Sequence, residues 1–167
     1  LAMRVLVVTS LACLCACRPL KDFWEYDPNT DAWTQKTSIG GSKRIDASCF
    51  VINGKGYIIT GYNNDYLNDI WEYNPSTDTW VEKRKITNVS DESYDDKYLT
   101  IVGRNKVGLS INGKGYLATG GQTTSQDVWE YNPSTDLWTE KTSFEGTTRG
   151  NAVGFTSGTR GYLTTGG

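Results

Sequence analysis

With 167 residues, a net charge of −2 and a pI near 5.2, the chain has the length of one domain and no basic field to draw nucleic acid. It contains no His, which excludes His-ligated zinc, copper and iron sites and every Ser-His-Asp or Cys-His nucleophile system. Acid–base chemistry would therefore fall to Asp, Glu, Lys or Tyr. Abundant Gly, Trp and Tyr, short apolar runs and no sustained period near 3.6 favour strands and tight turns over helices.

Residues 1–17 read as a targeting segment. Arg4 is followed by the apolar run Val5–Ala16, too short for a membrane-spanning helix of about 20 residues but suited to a signal peptide. The end of this run, "LCAC" (Leu14 to Cys17), resembles a bacterial lipobox, and that resemblance implies cleavage before Cys17 and lipidation of its thiol. A plain signal peptide and an artefact of a truncated reading frame are the other readings, and Leu1-Ala2 ahead of Met3 leaves the start open. With Cys17 acylated, Cys49 is the one thiol left; in the apolar run "ASCFVI" it is expected to be a small core residue.

From residue 20 onward the chain repeats. "DFWEYDPNTDAW" (22–33), "DIWEYNPSTDTW" (69–80) and "DVWEYNPSTDLW" (127–138) hold all six Trp, in pairs nine apart. A second phrase interleaves: "INGKGYIITGY" (52–62), "INGKGYLATGG" (111–121) and "TSGTRGYLTTGG" (156–167). In chain order, an apolar strand (47–52, 107–111, 151–156) leads into a tight turn at Asn53-Gly54, Asn112-Gly113 or Ser157-Gly158. The "KGY" strand follows, then a loop, the "WEY" strand, an "NPSTD" turn in which Pro fixes φ, and a strand opening near the second Trp. The expected segments are a half blade 20–37, a blade 43–85, an acidic insertion 86–100, a blade 104–142 and a half blade 149–167.

Four antiparallel strands per period, closing on Gly120-Gly121 or Gly166-Gly167 (Gly61-Tyr62 in one copy), with Tyr26/Tyr73/Tyr131 and Trp33/Trp80/Trp138, resemble the kelch repeat. The resemblance implies an all-β, kelch-type β-propeller with two full four-stranded blades plus two half blades. The aromatics are then blade-to-blade packing rather than a sugar-stacking platform, because they recur in every copy whatever its loops. The chain opens on an outer strand pair and stops on an inner pair. It reads either as part of a larger propeller, as half of a ring completed by a second copy in a homodimer, or as an open arc.

Arg44, Arg104 and Arg149 each precede an inner strand, so they are expected at one mouth of the channel. They are candidate binders of an anionic ligand such as a carboxylated sugar, since Arg grips carboxylates bidentately. The competing reading is a repeated ion pair with Asp or Glu of adjacent blades. Asp91, Glu92, Asp95 and Asp96 in the insertion lack the spacing and turn glycine of a calcium loop, and read as a solvated loop. Asn88-Val89-Ser90 is a glycosylation sequon that matters only in a eukaryotic secretory pathway. No catalytic, metal or cofactor site is expected. Galactose oxidase is a kelch propeller, but its copper site needs two His. The sialic-acid mutarotases of the same family remain compatible with this composition.

The expected role is a non-enzymatic binding or interaction module for a protein or carbohydrate, secreted or periplasmic, or held at a bacterial outer membrane by a lipid anchor, with no nucleic-acid partner. A carbohydrate-active enzyme of the mutarotase or epimerase type is the alternative, and a degenerate product with no ligand is a third class.

Overall fold

A computed structural model describes residues 18–86, 100–121 and 125–167. The targeting segment with Cys17, and the carboxylates of the acidic insertion, lie outside the described residues.

The described residues form twelve short antiparallel strands. Blade one is β3 (Ser48–Ile52), β4 (Lys55–Ile59), β5 (Ile70–Asn74) and β6 (Thr79–Glu82), hydrogen-bonded in chain order. Blade two repeats it as β7 (Val107–Ile111), β8 (Lys114–Ala118), β9 (Val128–Asn132) and β10 (Leu137–Lys141). An outer pair, β1 (Phe23–Asp27) and β2 (Ala32–Lys36), flanks blade one, and an inner pair, β11 (Val153–Ser157) and β12 (Arg160–Thr164), flanks blade two. This is the partial propeller that the repeats imply.

Local chemistry sets these turns. Asn53-Gly54 and Asn112-Gly113 take φ of 51° and 77°, and 51° and 73°, the doubly positive pattern of a type I′ hairpin that Asn and Gly tolerate. The third hairpin is displaced by one residue from expectation. Ser157 pairs with Arg160, so the loop is Gly158-Thr159, with a positive φ at the glycine alone. A type II′ turn needs Gly only in first place, which "SGT" supplies. In the outer hairpins Asn74 and Asn132 each accept the backbone N–H two residues on, both at 3.0 Å, and so hold the "NPSTD" turn.

The core lies between blades one and two. Phe50, Tyr57, Ile59, Ile70, Leu117, Trp129, Tyr131 and Trp138 are buried there, and the Tyr57 and Tyr131 rings meet edge to face at 5.8 Å. Phe23 of β1 packs at 4.7 Å on Tyr73 and 5.2 Å on Trp80, so the outer aromatics do join neighbouring blades. Polar straps reinforce these joints. Asp78 accepts the Thr37 N–H and Trp80 Nε1 donates to the Thr37 carbonyl, while Asp136 accepts the Arg84 N–H.

Two expectations fail, for one reason. Cys49 is exposed, not core. Strand alternation turns Ser48, Phe50 and Ile52 toward blade two and leaves Cys49 and Val51 on the face that an inner pair beside β1–β2 would cover. Likewise Trp24, Tyr26 and Trp33 are exposed, although their equivalents in blade two (Trp129, Tyr131, Trp138) are buried. Burial follows the neighbour, not the residue type.

Candidate functional site

The end of each blade where strand 2 gives way to strand 3 carries a recurrent clasp. In blade one, Thr60 leaves β4 in the left-handed region at φ 56°, which a β-branched residue rarely adopts. This conformation frees its carbonyl from the ladder, and Arg44 Nη1 donates to it at 2.9 Å. The same guanidinium grips Asp69 bidentately at 2.7 Å on each oxygen, and Asp69 Oδ2 also accepts Trp71 Nε1 at 2.7 Å. Arg44 and Asp69 side chains are only 5% and 12% exposed. Burial pushes the Asp69 carboxyl up, but the hydrogen bonds from Arg44 and Trp71 outweigh it and hold the pKa below the usual carboxylate value.

Blade two builds the clasp from a different residue. Thr119 repeats the left-handed φ at 57°, but the donor to its carbonyl is Lys106 Nζ at 3.0 Å. Burial pushes the Lys106 amine down to about 8, against an upward pull from Asp127, the Asp69 equivalent. In the third inner pair Arg149 donates to the Thr165 carbonyl at 3.0 Å, with its guanidinium carbon 4.9 Å from the centre of the Phe144 ring.

The three arginines are therefore not one set. Arg44 is locked in a closed ion pair, and its partner comes from its own blade, not an adjacent one. Arg149 occupies the same position with no carboxylate on it among the described residues. Arg104 is displaced by the shorter spacing that Lys106 takes over. It lies 5.3 Å from the centre of the Tyr62 ring and 3.7 Å from Asp46, with its side chain 42% exposed. Lys106 was missed in the sequence because its spacing to the "KGY" strand differs from that of Arg44. The signal was the "RNK" run, which places a second cation two residues beyond Arg104.

A second repeated cluster sits on the strands. Glu72 accepts Lys55 Nζ and Tyr57 OH, both at 2.6 Å, with Lys83 at 3.9 Å. Glu130 repeats this with Lys114 at 2.6 Å, Tyr116 at 2.7 Å and Lys141 at 3.3 Å. The Lys114 hydrogen bond leads in holding Glu130 down at about 2, while burial and the bond to Glu130 push Tyr116 up to about 12. A carboxylate this depressed is a poor base and a phenol this raised a poor acid near neutrality, so the cluster suits a scaffold.

Two open clefts flank the Gly40–Ser42 loop beside the blade-one clasp. One, of about 630 Å³, is lined by Leu20, Lys21, Ser42, Lys43 and Asn63 among others. The other, of about 520 Å³, is lined by Asn68, Asp69, Trp71, Glu82 and Lys85 among others. Among the described residues, no group of three or more His, Cys, Asp or Glu converges as a metal site, and no helix is long and apolar enough to cross a membrane.

The family model described as Kelch motif matches residues 43–85, which are blade one. Blade one is thus a kelch repeat, blade two repeats its phrases, and the fold is that of a kelch-type β-propeller. A solved structure titled "Structure of YjhT" superposes on it with a TM-score of 0.67 and 18% identity, covering 86% of this chain and 51% of that one. This kelch chain thus spans about half the length of that structure, and at such identity the likeness carries the fold alone. No curated protein matches the kelch chain by sequence.

Proposed function

We propose that the chain is a non-enzymatic binding module on a kelch propeller scaffold, exported and held at a membrane surface through Cys17, whose ligand is a protein or carbohydrate bearing a carboxylate. One observation carries this reading. The repeated charged groups of the complete blades are consumed by one another, whereas Arg104 stands open at the loop end, backed by the face of Tyr62. An exposed guanidinium on an aromatic ring can grip a carboxylate bidentately, and a 3.7 Å contact with Asp46 is loose enough to yield to it. The secreted, lipid-anchored placement rests on the lipobox-like "LCAC" alone.

A second reading is a carbohydrate-active enzyme of the sialic-acid mutarotase or epimerase type. It is favoured by the grouping of a guanidinium, a phenol and a carboxylate at Arg104, Tyr62 and Asp46. Isothermal titration with sialic acid, for wild type and Arg104→Ala, tests the site; equal heats from both proteins would refute the role of Arg104. NMR exchange between sialic-acid anomers separates the readings. Binding without faster exchange supports the module, and acceleration lost in Tyr62→Phe supports the enzyme.

A further inference from the structure

We propose that the cleft beside Trp71 binds a neutral sugar, a single hexopyranose ring of a glycan, at a site separate from Arg104 and independent of the reading given for it. The cleft holds about 520 Å³, within the ~300–1,000 Å³ range of small-molecule sites. Three stretches of chain meet there. They are the Gly40–Ser42 loop, Leu67–Asp69 ahead of β5, and the end of β6 with Lys85 beyond it. The site thus lies toward the third and fourth strands of blade one, not on its inner strand.

Pairing within blade one builds the wall. Trp71 of β5 and Glu82 of β6 are cross-strand partners, so both side chains stand on one face of the sheet. The indole N–H is spent on Asp69 Oδ2 at 2.7 Å, which fixes the ring in one orientation. The ring is half-buried and lines the cleft. Two glycines keep it accessible. A Cβ on Gly40 would stand 2.6 Å from Trp71 Cζ3, and one on Gly41 would stand 2.6 Å from Trp71 Nε1 and 2.8 Å from Arg44 Nη2. A side chain at either position would press on the indole or on the clasp beside it.

Blade two shows what the same strands do without those glycines. Trp129 and Glu140 pair in the same register, but Trp129 is 3% exposed and donates to Thr100 Oγ1 at 3.0 Å. The stretch arriving from blade one also buries Ile101 and Val102 in the core cluster that holds Trp129. The stretch that reaches blade one brings Gly40 and Gly41 instead. The accessible indole is therefore a property of blade one and not of the repeat.

The groups around it select the ligand. Asp69 is neutralised by Arg44, and Glu82 has Lys85 at 3.7 Å, so the cleft carries no net charge to hold an ion. The Glu82 and Lys85 side chains are 41% and 57% exposed, and so loose a pair yields to hydroxyl groups. The Asn68 amide and the Ser42 hydroxyl line the same cleft with no side-chain hydrogen bond among the described residues. An indole bounded by a carboxylate, an ammonium, an amide and a hydroxyl matches a pyranose. The C–H face of the sugar packs on the ring, while its hydroxyls donate to Glu82 and accept from Lys85 and Asn68. At Arg104, by contrast, the open group is a guanidinium that seeks a carboxylate.

Titration calorimetry and saturation-transfer NMR on the whole chain test this, with D-glucose, D-galactose and N-acetyl-D-glucosamine as probes. A ligand of this size in an open cleft should bind with a dissociation constant on the order of millimolar. Glu82→Ala and Asn68→Ala lie outside the buried core and should each weaken binding about tenfold, with urea midpoints close to that of wild type. Arg104→Ala should bind the neutral sugar as wild type does, so failure at one site is distinguishable from failure at the other. Choline, a cation suited to an indole beside a lone carboxylate, should not bind, because Lys85 already meets Glu82. No binding of any of the three sugars by wild type, equal affinity in wild type and both cleft variants, or choline bound in preference to the sugars would each overturn the proposal.

Discussion

The clasp of blade one predicts that Arg44 and Arg104, which precede the inner strands of successive blades, differ sharply in their contribution to stability. Arg44→Ala removes a guanidinium that is 95% covered and leaves Asp69, itself nearly covered, with Trp71 Nε1 and no counter-charge. Breaking a buried pair from one side costs about 3–5 kcal/mol. Arg104→Ala removes a half-exposed group with a 3.7 Å ion pair and a contact with the Tyr62 ring, worth about 0–1 kcal/mol. With a urea m-value of about 2 kcal/mol/M, the unfolding midpoints of the two variants should differ by on the order of 1–2 M.

The pH dependence sharpens the test. In wild type the Asp69 pKa is depressed in the folded state, so its contribution is present above the ordinary carboxylate range and lost as pH falls through that range. In Arg44→Ala burial is opposed only by the Trp71 and backbone hydrogen bonds, so the Asp69 pKa rises above its wild-type value and the variant's deficit shrinks as pH falls from 7 toward 5. Replacing both partners by apolar residues of similar size, Arg44→Met with Asp69→Leu, should recover most of the loss. Urea titration followed by Trp fluorescence at pH 7 and pH 5 measures all four proteins. Equal midpoints for Arg44→Ala and Arg104→Ala, or a deficit in Arg44→Ala that does not change with pH, would refute the closed-clasp reasoning.

Two further outcomes follow from the same geometry. The Lys106 amine, pushed down to about 8 by burial, binds fewer protons folded than unfolded above that pH, so stability should rise between pH 8 and 10, by about 2 kcal/mol at most; Lys106→Met should remove this rise in chemical denaturation series. Above pH 10 the raised phenol of Tyr116 acts in the opposite direction, because its stabilisation is lost as pH climbs toward 12. Gly108→Ala should destabilise by about 1–3 kcal/mol, since the new Cβ would stand 1.9 Å from the Cys49 carbonyl oxygen, a backbone atom that cannot swing aside; the thermal midpoint reads it, and no change would mean that β3 and β7 do not pack this closely.

The blade was legible because its signals are local. Asn-Gly at the inner turns, Pro and Asn at the outer ones, and Trp pairs nine apart each act within a few residues, so the sequence contains their cause. The clasp was only half legible. Arg44 announces itself by spacing, but whether a guanidinium is free or spent depends on Asp69, 25 residues away and two strands over. Lys106 replaces Arg44 from a different position because what the site requires is a cation within reach of a left-handed threonine carbonyl, and no particular spacing is needed to deliver one. Burial was the least legible of all. Trp33 and Trp138 share their motif, yet one is 66% exposed and the other 7%, because a blade face is covered by the next blade and not by its own strands. The same argument explains Cys49. A repeat protein writes its contacts as a pattern that each copy extends to its neighbour, so a residue whose neighbour lies outside the arc keeps the chemistry of an interface without the contact. Trp33 and Phe155 are in this state among the described residues.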